Sequence, residues 1–198
     1  QSRRIPPSEK LARDDLLYTV LMVVLDIAAP ILLMLGLKSA SAANASLLNN
    51  FEIVATTIIA RLIFGERVAS RLWGAIGLIT LSSAILLFED VSSFSFSWGS
   101  LLILAAATCW GLENNCTRKL SEKNALEIVM IKGIFSGFGS VIIAFSVGER
   151  LPDVKLIGAA LLLGFVAYGL SITFYVMAQK SLGAAKTSAY YAVAPFVG

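Results

Sequence analysis

Seven apolar runs divide this 198-residue sequence, and each is about as long as a helix that crosses a bilayer. They cover residues 16–37, 41–64, 72–88, 98–117, 125–147, 156–178 and 184 onward. A helix needs roughly 20 apolar residues to cross about 30 Å of hydrocarbon. Because the bilayer core offers no water to the backbone, these runs must be helices; barrel strands would be shorter and would alternate in polarity. The sequence predicts an all-α polytopic membrane protein.

The composition also indicates that the chain lies in a lipid bilayer. The chain is 57% hydrophobic and 15% charged, whereas a soluble domain carries about 25% charged residues. Cys109 and Cys116 lie two helical turns apart in one run, too far for a disulfide. They also lack the neighbouring ligands that a metal site needs, so we expect neither a metal nor a cofactor.

Basic residues fall almost entirely on one side of the predicted membrane. Of the sixteen Lys and Arg residues, all except Lys38, Arg150 and Lys155 lie at one set of helix ends. The positive-inside rule places this set in the cytoplasm of a protein in the cell membrane. The net charge of +3 follows from this bias and gives no reason to expect nucleic-acid binding.

A short repeat relates two parts of the chain. Residues 38–46, KSASAANAS, match residues 180–188, KSLGAAKTS, at five positions. Lys38 lies at the outer end of its run and Lys180 at the inner end, so the segments cross the membrane in opposite directions. Inverted repeats of this kind build many secondary transporters, although shared small-residue composition is an alternative explanation of the match. The boundary between the halves is expected at residues 89–97.

Several segments resemble the EamA-type branch of the drug/metabolite transporter superfamily. They are NASLLNNFEIVATTIIARLIFGER, RLWGAIGLITLSSAILLFED, CWGLENNCTRKLS, ALEIVMIKGIFSG and YVMAQKSLGAAKTSAYYAVAPFVG. The resemblance implies a bundle of two inverted five-helix repeats, of which this chain holds roughly the third to the ninth helix. Residues 1–88 would end the first repeat, and residues 98–198 would form a second repeat truncated in its fourth helix.

The ends of the sequence suggest a fragment. It opens on QSRRIPP rather than on methionine, and it stops three residues after Pro195, inside an apolar run. On this interpretation three helices are missing, and one wall of any central cavity is missing with them. We therefore expect residues 1–198 alone not to transport.

Polar side chains recur at helical spacing inside the apolar runs. In the second run, residues 41, 45, 49, 52 and 56 share one helix face, and in the fourth run residues 110, 113 and 117 do so. Such stripes also occur as helix-packing faces, which is the alternative reading for the small residues. The candidate residues for substrate binding or coupling are Glu113, Glu52, Asn114, Asn49, Tyr175, Tyr190, Asp26 and Lys132.

Carboxylates inside a bilayer indicate a functional site more strongly than small polar residues do. An ionised acid at the bilayer centre costs about 2.5–3.5 kcal/mol, which favours its protonated form. In a chain without histidine, Glu113 and Glu52 are the best candidates to carry protons, followed by Asp26. Two alternatives remain open: a structural ion pair between Glu113 and Lys132, or an anionic substrate group that meets Lys132.

The sequence and its resemblance together predict a secondary transporter that works by alternating access. It would export a small metabolite, an amino acid or a drug-like compound, with protons as the coupling ion. No nucleotide-binding motif G-x-x-x-x-G-K-[ST] is present. The alternatives are a channel or a non-transporting membrane scaffold, and an intramembrane enzyme built on two acids. The acids lack a recognisable catalytic setting, so we expect no enzyme.

Overall fold

A computed structural model describes residues 11–86, 88–90 and 95–191, and these residues are mainly helical. A 3₁₀ turn, Arg13–Asp15, precedes the first helix. The helices are α1 (Leu16–Leu37), α2 (Ala42–Asn49), α3 (Phe51–Leu62), α4 (Ser70–Leu86), α5 (Trp98–Leu120), α6 (Ala125–Ile131), α7 (Gly137–Ser146), α8 (Val154–Leu163), α9 (Ser171–Leu182) and α10 (Ala184–Tyr191). Between α4 and α5, strand β1 (Phe88–Asp90) pairs antiparallel with strand β2 (Ser95–Phe96), where the sequence predicted only a turn.

Three helical segments are long and apolar enough to cross a membrane within the described part of the chain. They are Arg13–Leu37, Ala125–Ser146 and Val154–Leu182. Three other predicted spans do not meet both conditions, length and apolar character. The second is interrupted and α4 is slightly too short, whereas α5 is long enough but contains Glu113, Asn114 and Asn115, which lower its hydropathy. The seventh predicted span continues beyond the described residues.

The outer faces of the late helices are apolar. Phe138 on α7, Leu161 on α8 and Phe174 on α9 each expose about two-thirds of their surface, at 68%, 69% and 67%. Soluble monomers rarely expose continuous apolar surface of this extent. Lipid chains or further membrane helices cover such a surface without cost. The predicted helical membrane fold is therefore confirmed, and the chain is a multi-pass membrane protein.

Two of the long helices contain a π-helical turn. Lys132–Ser136 joins α6 to α7, and Gly164–Leu170 joins α8 to α9. The predicted spans at 125–147 and 156–178 are thus continuous helices with one widened turn each. Such turns are rare and occur frequently at functional sites. Both turns contribute residues to the cavity described below.

The second predicted span is not one regular helix. It divides into α2 and α3 at Asn50, whose N–H bonds to the carbonyl of Leu47, three positions back, at 3.2 Å. This tighter i→i+3 bond breaks the regular ladder. The break lies between Asn49 and Glu52, and discontinuous helices commonly form the binding sites of transporters. The prediction of a single uninterrupted helix over 41–64 was wrong at this point.

Helix α5 lies at the centre of the packing and contacts α1, α2, α3, α9 and α10. Its approach to α3 depends on Gly111. A Cβ at this position would lie 2.6 Å from the Ala55 Cβ and 2.8 Å from the Thr56 backbone nitrogen, both closer than van der Waals contact. Small residues permit this kind of close approach between membrane helices.

Glu66, in the loop after α3, connects this loop to the start of α10 in the second half of the chain. Its carboxylate accepts hydrogen bonds from the backbone N–H groups of Ala184 and Ala185, at 3.0 and 3.3 Å. A negative charge at a helix N-terminus satisfies free N–H groups and is favoured by the helix dipole. Helix α10 begins at Ala184 and α2 at Ala42, which are equivalent positions in the proposed repeat. The cap thus ties the end of α3 to the start of α10.

We predict that Gly111→Ala destabilises the full-length protein by about 1–3 kcal/mol, because the added methyl group overpacks the contact with α3. Thermal unfolding of the purified protein in detergent measures this. Gly74→Ala is the matched control, since a Cβ there meets no atom within 4 Å of the described structure. Equal melting temperatures for Gly111→Ala and the control would show that α3 and α5 do not approach as described.

Candidate functional site

A cavity of about 290 Å³ lies among the two π turns and helices α1, α2, α3, α5, α9 and α10. It joins residues from both sides of the predicted boundary between the halves. The lining residues are Asp26, Asn49, Glu52, Trp110, Glu113, Asn114, Thr117, Lys132, Ala167, Tyr168, Ser171, Ile172, Tyr175 and Tyr191. Its volume is near the lower end of the range for small-molecule sites.

The ammonium group of Lys132 is the electrostatic centre of this cavity. Its Nζ lies 3.1 Å from Oε1 of Glu113 and 3.3 Å from Oδ1 of Asp26. All three residues are buried, with 4%, 3% and 8% of their surface exposed, respectively. Buried charges need partners of opposite sign, because desolvation costs several kcal/mol per ion. One lysine therefore forms an ion pair with a carboxylate from each half of the chain.

Neutral donors complete the coordination of these two acids. The Tyr168 hydroxyl donates to Oδ2 of Asp26 at 2.7 Å, and the Thr117 hydroxyl donates to Oε1 of Glu113. The Lys132 Nζ also lies 5.8 Å from the centroid of the Tyr168 ring, within the range of a cation–π contact. Asp26 and Glu113 are thus each held by the lysine and by a hydroxyl group.

Glu52 is the acid with a different environment. Its Oε1 accepts a hydrogen bond from Nδ2 of Asn114 at 2.7 Å, and the same amide contacts the Thr56 hydroxyl at 3.3 Å. Within the described part of the chain, no Lys or Arg nitrogen comes within ion-pair distance of Glu52. The third cavity acid is therefore held by a neutral amide alone.

Amide side chains fix the helices around Glu52. Asn115 donates to the carbonyls of Thr56 and Gly111, at 3.0 and 2.8 Å, and thereby connects α5 to α3. Gln179, which is fully buried, donates to the Asn114 carbonyl at 3.0 Å and connects α9 to α5. These bonds satisfy polar groups that would otherwise be costly inside the bundle.

One wall of the cavity is aromatic. Tyr175 and Tyr191 meet edge to face, with ring centroids 5.5 Å apart and an interplanar angle of 80°. Trp110 lines the cavity from α5. Aromatic faces carry negative partial charge, so this wall can contact apolar groups or cations.

Of the eight residues predicted from the sequence, seven line this cavity: Asp26, Asn49, Glu52, Glu113, Asn114, Lys132 and Tyr175. Tyr190 does not line it. Its side chain is 71% exposed, and the neighbouring Tyr191 faces the cavity instead. Adjacent helical residues differ by about 100° in direction, so choosing between two consecutive tyrosines needs the rotation of α10. The ion pair between Glu113 and Lys132, an alternative at the sequence level, is present in the structure.

The predicted set omitted Tyr168, Thr117 and Gln179. Tyr168 lies seven residues before Tyr175 and shares its helix face, which is the signal that could have identified it. Within the described residues, no group of three or more Cys, Asp or Glu side chains is arranged to hold a metal ion.

We predict that Lys132→Met destabilises the full-length protein by about 3–5 kcal/mol, because two buried carboxylates lose their shared cation. Chemical or thermal unfolding in detergent measures this cost. Combining it with Asp26→Asn and Glu113→Gln should restore much of the stability, since the acids become neutral. Lys155→Met, at an exposed position of α8, is the control. A Lys132→Met protein as stable as wild type would contradict the ion-pair assignment.

Comparison with known proteins identifies the family of this chain. The model of the EamA-like transporter family matches residues 2–88 and 97–198. Among similar proteins, an uncharacterized transporter of Methanothermobacter thermautotrophicus is 27% identical over 207 residues, covering 100% of this chain and 60% of the relative. The uncharacterized transporter YyaM of Bacillus subtilis is 22% identical over 199 residues, covering 95% of this chain and 65% of the relative. The chain thus spans less than two-thirds of the length of these curated relatives. Because the family model matches nearly all of its sequence, the chain belongs to the EamA-like transporter family.

Proposed function

We propose that the full-length protein is a secondary transporter that binds a small metabolite, amino acid or drug-like compound in the described cavity. The observation that carries this proposal is a polar network between the two halves of the chain. Lys132 and Tyr168 of the second half contact Asp26 of the first, and Asn114 of the second contacts Glu52 of the first. A site shared by two halves can respond to their relative movement, as alternating access requires.

The arrangement of the halves follows from the same proposal. Residues 1–88 would complete the first repeat, and residues 98–198 would begin the second. The side bearing most of the Lys and Arg residues would face the cytoplasm, and net flux would be outward. The lipid bilayer, the small-molecule substrate and protons are the expected partners.

Glu52 is the acid that we assign to proton coupling. Asp26 and Glu113 share the Lys132 ammonium, which stabilises both as carboxylates. Glu52 is held by the Asn114 amide, and an amide can bond a protonated or an ionised acid. Both Glu113 and Glu52 are candidate proton carriers from the sequence, and the contacts favour Glu52 as the group that gains and loses a proton during the cycle.

We predict that the full-length protein in liposomes shows saturable, pH-gradient-driven flux of a compound found by thermal-shift screening. The screen would include amino acids, sugars, nucleotide precursors and organic cations. Glu52→Gln should abolish the dependence of flux on the pH gradient, because a neutral amide cannot exchange a proton. The control is Glu127→Gln, a carboxylate on α6 that does not line the cavity.

Two results would contradict the proposal. Flux that does not saturate indicates a channel, and a complete absence of ligand response and flux indicates a non-transporting scaffold. Gradient-driven flux that persists in Glu52→Gln would move the coupling role to another acid while leaving the transporter intact. Chemical conversion of a bound compound would instead support an intramembrane enzyme.

A further inference from the structure

We infer that the substrate carries a positively charged amine, which binds between Glu52 and the aromatic wall in exchange for a proton. The inference rests on the proposed function, because it names the substrate class of the same cavity. It is carried by the balance of charge, by the unused hydrogen-bond acceptors and by the aromatic surface. Each of these points to the same kind of ligand.

The charges that line the cavity do not balance. Asp26, Glu52 and Glu113 contribute three carboxylates, and Lys132 contributes a single ammonium group. With every group ionised, the described lining would carry two excess negative charges in a largely buried space. Such an excess is costly without a compensating cation. Either a proton or a cationic ligand removes part of it.

Two polar atoms of cavity-lining residues have no hydrogen-bond partner within the described structure: the Tyr175 hydroxyl, which can donate or accept, and Asn49 Oδ1, which can only accept. Among the described residues, Asn49 Oδ1 is buried and accepts no hydrogen bond. Asn49 lies three residues before Glu52, and both residues line the same cavity. A buried acceptor without a donor costs free energy. An ammonium group supplies up to three N–H donors and can satisfy both residues at once.

The aromatic wall suits the remainder of such a ligand. Trp110, Tyr175 and Tyr191 can contact an apolar body and can also face a positive charge. The chain already uses this property, because the Lys132 ammonium lies over the ring of Tyr168.

An anionic ligand fits the cavity less well. Its natural partner would be Lys132, but that ammonium already contacts two carboxylates at 3.1 and 3.3 Å. An anion would have to displace one of them and would then face Glu52 as a like charge. A cation meets no such repulsion at Glu52.

The exchange balances in protons and charge. In the empty cavity Glu52 holds a proton, which reduces the excess negative charge. When the amine enters as R–NH₃⁺, the Glu52 proton leaves to the aqueous phase to which the cavity is open. The amine keeps its own protons and pairs with the resulting carboxylate. Bound proton and bound amine are thus alternatives at one acid, which is the condition for exchange.

The test uses three probes that share a phenyl group and differ in their polar end: phenethylammonium, 2-phenylethanol and 3-phenylpropionate. Their binding to the purified full-length protein would be measured by calorimetry at mildly alkaline and mildly acidic pH. We expect phenethylammonium to bind tightest, and to bind more weakly at acidic pH because protons compete for Glu52. Glu52→Gln should weaken its binding about tenfold to a hundredfold, the range for losing a charge-assisted hydrogen bond.

Two further variants make the test independent of a folding defect. Glu52→Asp keeps the charge and should preserve the preference for the amine, and Glu149→Gln changes an exposed acid outside the cavity and should have no effect. Tighter binding of the carboxylate or the alcohol, or no binding of any probe, would overturn the inference. If the amine is not preferred but saturable flux of another compound is found, only the substrate class fails. If no compound is transported, the proposed function itself fails.

Discussion

The buried ammonium of Lys132 is the interaction on which the centre of the molecule depends. It is held between Asp26 of α1 and Glu113 of α5, so a single cation joins elements that lie far apart in the sequence. Removing the lysine would leave two carboxylates in a place that cannot solvate them, and buried uncompensated charge is strongly destabilising. The π turn that begins at Lys132 widens the helix at this residue. The charge cluster, the cavity and the local helix distortion are therefore one feature.

The three cavity acids have different surroundings, which suggests that they have different roles. Asp26 and Glu113 are fixed by the lysine, whereas Glu52 contacts the neutral Asn114 at the start of α3. The helix break at Asn50 places Glu52 in the first turn of a half-helix, where the dipole favours its ionised form. The excess of acids over cations favours a proton there when the cavity is empty. These opposing effects are consistent with the proton-coupling role proposed for Glu52.

Much of the fold and most of the residues that line the candidate site could be predicted, because the bilayer leaves few structural alternatives. The first helix agrees with its predicted range at both ends, and polar residues inside apolar runs pointed to the lining of one cavity. What could not be predicted depends on contacts between distant segments. Three features require the relative rotation of helices: the contact of Lys132 with Asp26, the choice of Tyr191 over Tyr190 and the cap that Glu66 places on α10. The break at Asn50 and the two π turns carry no recognisable signal in an otherwise helical pattern.

In the proposed cycle Glu52, and not Glu113, is the cavity acid that exchanges a proton. Infrared difference spectroscopy of the full-length protein, recorded as the pH is stepped across neutrality, tests it without a known substrate. We expect a protonated-carboxyl band in the wild-type protein that disappears in Glu52→Gln and persists in Glu113→Gln. A band that persists in Glu52→Gln, or that disappears only in Glu113→Gln, would contradict this assignment to Glu52.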